Sequence, residues 1–209
     1  MLTAAMFAAA PFLIANAPYE STMLLVQKIF YFHVPSWFAM FTGVFVAGIG
    51  GVLYLAKDDA RGDRVAVSAA EIALMFGAMG LTSGPIWARK SWGVYWQWDA
   101  KLTIALLLEL IFVAYLLLRK YGGAGSEKLA AAVALFGMAV VPFVYYAVNI
   151  WRTIHPNTNV IPSLQAGMAI PFWFSVVTFL LFFLVLLALR ARLERLRTDL
   201  DDLYRAEES

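Results

Sequence analysis

The chain holds only two histidines, His33 and His155, and each stands close to a proline, in HVP and in HP. Between them residues 92–99 read WGVYWQWD, in which three tryptophans and a tyrosine are closed by an aspartate. An imidazole offers a neutral nitrogen to a metal, and iron carried in a porphyrin takes one such ligand from each side of the ring. An indole surface of this density suits the flat face of the same ligand. Two histidines on one side of a protein, with an aromatic floor between them, are thus a candidate haem site. With no cysteine in the chain there is no covalent thioether, no thiolate ligand and no disulfide, so whatever is bound is held reversibly.

Pro35 follows His33 at a distance of two and Pro156 follows His155 directly. Prolines there predict that both histidines approach on extended backbone, presented from the ends of elements rather than from inside them. The aromatic stretch admits two arrangements. As a helix it places Trp92, Tyr95, Trp96 and Asp99 on one side; extended, it aligns Trp92, Val94, Trp96 and Trp98. Trp92 and Trp96 point together in both. The plainer alternative is an interfacial aromatic belt, which explains scattered tryptophans but asks for neither Gly93 between them nor Asp99 at the end. Asp99 and Lys101 also suit a pairing with each other or with a neighbouring loop. Two propionates would favour basic partners. Arg152, three residues before His155, is the first candidate, with Arg89, Lys90, Lys28 and Lys101 behind it.

These residues need elements to position them, and composition says which. Of 209 residues, 62% are hydrophobic and 14% charged, with a mean hydropathy of +0.74, which identifies an integral membrane protein. A formal charge of +2 without a basic patch excludes nucleic acid as a partner. Six apolar stretches are candidates to cross the bilayer, at roughly 2–17, 34–56, 65–86, 102–118, 129–150 and 168–189. The first ends in a sequence resembling a signal-peptidase site but lacks an early Lys or Arg, so an uncleaved helix is expected. Lys57, Arg61, Arg64, Arg119, Lys120, Lys128 and the tail arginines 190, 192, 195, 197 and 205 fall on one side, against Lys28, Arg89, Lys90, Lys101 and Arg152 on the other. The richer side is cytoplasmic. The expectation is an all-α polytopic membrane protein of six transmembrane helices with both termini cytoplasmic. Residues 1–189 form the membrane domain with an outward loop at 87–101, and 190–209 form a cytoplasmic amphipathic helix.

Three segments then face outward, about 18–33, 87–101 and 151–167, and they contain both histidines and the aromatic cluster. Inside the spans, Glu71 and Glu109 require shielding by the bundle; a protonated, hydrogen-bonded Glu109 is expected. In the tail, Leu189, Leu193, Leu196, Leu200 and Leu203 alternate steps of four and three, a narrow apolar seam expected to pack on a partner or on the inner loops.

At WGVYWQWDAKLT, with HVPS before it and RTIHP after it, the chain resembles the haem-handling protein family, whose mark is an outward-facing WWD domain flanked by two histidines. The resemblance covers nearly the whole chain and is strongest to the branch that presents haem during bacterial cytochrome c maturation. It implies His33 and His155 as axial haem ligands and Trp92, Gly93, Tyr95, Trp96, Trp98 and Asp99 as the haem platform, with Tyr95 a departure from the tryptophan common in that branch. It further implies transiently bound haem b on the outer face of the bacterial plasma membrane. The implied partners are the periplasmic haem chaperone CcmE, the ABC transporter subunits CcmA and CcmB and the small membrane protein CcmD, covalent attachment being made on the chaperone. Two other classes compete: a single-haem b-type electron-transfer protein, and a transporter subunit whose tryptophans only anchor it. No phosphate-binding loop or catalytic motif is present.

Overall fold

The computed structural model describes residues 1–207. It is all-helical, with α1 at Leu2–Asn16, α2 at Phe30–Lys57, α3 at Ala60–Trp92, α4 at Ala100–Tyr121, α5 at Ser126–Ile150 and α6 at Ala166–Glu207, and short 3₁₀ turns at Leu25–Ile29 and Thr158–Val160. In hydrocarbon the backbone must satisfy its own polar groups, and apolar runs of this length do so as helices. Five of the six are long and apolar enough to cross a membrane. The other, α1, has 15 residues, about 22 Å at the helical rise and short of the hydrocarbon thickness. It lies against α6, Phe7 meeting Phe179 and Phe182 at ring-centroid distances of 5.5 and 5.3 Å.

Helix α2 sits at the centre, packed against α3, α5 and α6. Small residues allow that approach, as in other membrane bundles. A Cβ built at Gly43 would come within 2.8 Å of the Ala73 Cβ, and one at Gly51 within 2.9 Å of the Ala131 carbonyl. Around these contacts Met40, Val44, Phe76, Leu108, Phe112 and Phe183 form the core. Buried hydroxyls bond back to their own helices, Ser36 to the His33 carbonyl and Thr178 to that of Phe174.

At the far end from the histidines, Arg119 pairs with Asp63 at 2.7 Å, and Arg190 bonds both Glu71 and Glu194. Glu71 is therefore paired by a base that lies beyond the apolar stretches, in the middle of a helix distant in sequence. Glu109 differs from expectation. It is buried against Gly77, and its Oε2 has no hydrogen-bond partner.

Three boundaries also differ. The stretch 87–101 is not one loop: Trp87–Trp92 complete α3, residues 93–99 are irregular, and Lys101 belongs to α4. His33 is helical, since α2 begins at Phe30 and carries Pro35 within it. As the sixth residue of α2, Pro35 forgoes the helical bond to the Tyr31 carbonyl without ending the helix, and its restriction falls on Val34, not on His33. The tail is not a separate helix but the continuation of α6. Its seam leucines 189, 193, 196, 200 and 203 are exposed rather than packed on the inner loops. Residues 208 and 209 of the expected tail lie outside the described residues.

Candidate functional site

Where α2 begins, α3 ends, α4 begins and α5 ends, the bundle opens into a cavity of about 520 Å³, within the range of small-molecule sites. His33 and His155 both line it. Trp37 and Phe41 from α2, Trp87 and Trp92 from α3, Trp96 from the irregular stretch and Tyr145 from α5 form its aromatic walls.

His33 is 7% exposed. Its Nδ1 lies 3.0 Å from the Ser83 hydroxyl, which itself donates to the Met79 carbonyl at 2.7 Å. With the hydroxyl proton committed there, Ser83 accepts and His33 Nδ1 carries the hydrogen. The ring is packed edge-on against Trp37 and Trp87, with centroids 6.3 and 5.7 Å away. A Cβ at Gly84 would stand 3.0 Å from the His33 Cε1, so glycine leaves the imidazole its room.

His155 sits on irregular backbone between α5 and the Thr158–Val160 turn, the non-helical presentation that Pro156 predicts. Its Nδ1 is 3.0 Å from the Pro156 carbonyl, a group that only accepts, so here too Nδ1 bears the hydrogen. Burial pushes the imidazole down to about 4, with the nearby Lys101 charge acting in the same direction. It is neutral at pH 7. In both histidines Nδ1 is taken by a protein neighbour, which leaves Nε2 as the nitrogen open to a metal.

The aromatic cluster is divided. Trp92, Tyr95 and Trp96 line the cavity. Gly93 ends α3 in the left-handed conformation at φ 79°, and beyond the turn it makes Trp96 lines the same cavity as Trp92. Arg89 steadies that turn, donating to the Gly93 carbonyl at 2.5 Å and lying over the Tyr95 ring. Trp98 is 76% exposed and meets Trp96 edge-on at 5.7 Å. Asp99 does not line the cavity; its carboxylate caps α4 through the Leu102 N–H at 2.9 Å and bonds Thr153 and Ile154.

Of the basic candidates, Lys101 alone lines the cavity, its ammonium donating to the Val144 carbonyl at 2.7 Å. Lys28 is committed to the carbonyls of Ile14, Ala15 and Ala17, closing the end of α1. Arg89 is used by the Gly93 turn, and Arg152 is exposed outside the cavity. Trp37, Trp87, Tyr145 and Ser83 were not foreseen. Trp37 had a visible signal, standing four residues, one helical turn, after His33; the others become neighbours only through helix pairing.

This is a multi-pass helical membrane protein whose aromatic cavity joins two histidines at one end of the bundle. The chain belongs to the heme exporter protein C family, CcmC, whose model matches residues 1–205. Among its relatives, heme exporter protein C of Bradyrhizobium diazoefficiens is 32% identical over 192 residues, 88% of this chain and 72% of that protein. Heme exporter protein C of Escherichia coli K12 is 29% identical, over 79% of this chain and 69% of that protein. A cytochrome c biosynthesis ccmC-like mitochondrial protein of Marchantia polymorpha is 28% identical, over 73% of this chain and 66% of that protein.

Proposed function

We propose that this chain holds haem between His33 and His155 and passes it to another protein of the cytochrome c maturation system. One observation carries the proposal: two histidines from distant segments line one aromatic cavity, each with Nδ1 occupied and Nε2 free. Among the described residues no group of three or more His, Cys, Asp or Glu is arranged to hold a bare ion. An axial pair suits iron whose other four ligands come from a macrocycle. The buried Trp87 and Trp96 indole N–H groups, which lack protein partners, are donors available to a polar substituent of the cargo. The relatives' names, which speak of haem export and cytochrome c biosynthesis, support the same reading.

His33 and His155 are the axial ligands in this reading. Trp92, Tyr95 and Trp96 form the platform, Gly93 sets the turn between them, and Lys101 is the leading propionate partner. Trp98, exposed at the rim, belongs to the face offered to a receiver. The cargo is haem b, bound reversibly because no cysteine is available to fix it. The Lys and Arg distribution supports cytoplasmic termini and a periplasmic site on the inner membrane. On that side the receiver is the haem chaperone CcmE, with CcmA, CcmB and CcmD as the accompanying membrane components.

The test is transfer. Haem-loaded full-length chain in nanodiscs is mixed with the soluble domain of apo-CcmE, and the Soret absorbance is followed after separating the two. Haem should move to the chaperone. Haem that stays with the membrane protein and merely changes redox state would support an electron carrier and overturn presentation.

A further inference from the structure

The carboxylate that closes the aromatic cluster does not face the cavity, although Trp96 before it and Lys101 after it do. Its two oxygens accept three hydrogen bonds on two elements. Oδ1 takes the Leu102 N–H at 2.9 Å, capping α4. Oδ2 takes the Thr153 hydroxyl and the Ile154 N–H, the latter at 3.1 Å. The Thr153 oxygen in turn accepts the N–H of His155 at 3.1 Å. The path from carboxylate to histidine backbone is therefore two hydrogen bonds long.

We propose that Asp99 is a positioning residue for His155, fixing the segment that carries this imidazole to the start of α4 through Thr153 and Ile154. It rests on the reading that His155 ligates haem. The segment needs such a tie. It lies between the end of α5 and the Thr158–Val160 turn without helical bonds of its own, and Pro156 removes one backbone donor beside the histidine. Hydrogen bonds to an ionised carboxylate are the stronger kind. Only a carboxylate meets the demand: asparagine has one acceptor oxygen for the two ends, and serine caps the helix but does not reach the loop.

Two variants separate this role from the others. Asp99→Ser keeps an N-cap for α4 while cutting both bonds to the segment, and Thr153→Val, at a residue that neither caps a helix nor lines the cavity, removes the hydroxyl that links the carboxylate to the His155 N–H while leaving the Ile154 N–H on the carboxylate. In haem-free full-length protein, amide hydrogen exchange at His155 should accelerate at least tenfold in both variants, and at Ile154 in Asp99→Ser, with α4 unchanged. In haem-loaded protein, both should shift haem from six-coordinate low-spin toward five-coordinate, with dissociation about 10- to 100-fold faster. Added imidazole should restore the low-spin spectrum by replacing the ligand that has been lost. Wild-type exchange and spectra in both variants would overturn the positioning role while leaving ligation intact. Wild-type His155 exchange and a wild-type haem spectrum in Thr153→Val would overturn the route through Thr153, whatever Asp99→Ser does. A wild-type chain with no low-spin haem spectrum would sink the ligation reading itself, a result recognisable before any variant is made.

Discussion

Each imidazole in this protein is held in one tautomer by a single neighbour, Ser83 for His33 and the Pro156 carbonyl for His155. Outer partners of this kind orient a ligand and raise its basicity, and losing one weakens metal affinity by about 10- to 100-fold. Ser83→Ala should therefore speed haem loss to apomyoglobin by about tenfold, while Ser83→Thr, which keeps a hydroxyl, should not. The pKa of His155 gives a second expectation. It lies at about 4 in the folded chain against an ordinary 6.5, so the unfolded state binds the extra proton between those values. The stability tied to neutral His155 is complete above pH 6.5 and is lost as pH falls toward about 4. Thermal unfolding of the purified protein should show a midpoint that drops across that window, and His155→Gln should lessen the drop.

At the scale of elements, the site depends on how closely α2 and α3 approach and on how α3 ends. Gly84 faces the His33 ring, and Gly93 turns the chain with φ 79°. A side chain in the left-handed region costs about 1–2 kcal/mol, and a β-branched one fits it worst. Gly93→Val should lower haem retention several-fold by displacing Trp96 from the cavity, with membrane insertion unchanged on carbonate extraction. The extent to which the sequence revealed this site follows from the same geometry. Residue type and rarity disclosed the histidines and the tryptophans, and hydropathy disclosed the six helices but neither the full length of α3 nor the continuation of α6 through the tail. The helical state of His33 was hidden because proline signals an end when read locally, whereas packing on α3 carries the helix through it. The role of Asp99 was hidden because its partners, Thr153 and Ile154, lie more than fifty residues away. The same holds for Glu71, whose partner Arg190 comes from α6. Pairings between elements leave no mark in local sequence.

For the molecule as a whole, the charge distribution and the cavity make one joint expectation about sides of the membrane. The basic residues at 57–64, 119–128 and 190–205 lie at the end of the bundle opposite His33 and His155. Because the chain has no cysteine, each one introduced is a unique reporter. Cysteines replacing Tyr95 or Asn157 should react with a membrane-impermeant maleimide in intact spheroplasts, and those replacing Arg61 or Gly123 only after lysis. The reverse pattern would place the cavity on the cytoplasmic side and end the proposed handover to a periplasmic chaperone. The exposed leucine seam of α6 belongs to the end of the bundle opposite the cavity and is continuous with the membrane span.

Electron paramagnetic resonance of the ferric haem-loaded protein, recorded for wild type, His33→Ala and His155→Ala, tests ligation most directly. Wild type should give a low-spin signal with the g-anisotropy of two imidazole ligands, and each single variant should replace it with a high-spin signal near g = 6, as expected on loss of one axial ligand. A low-spin wild-type signal that persists unchanged in both variants would contradict the account.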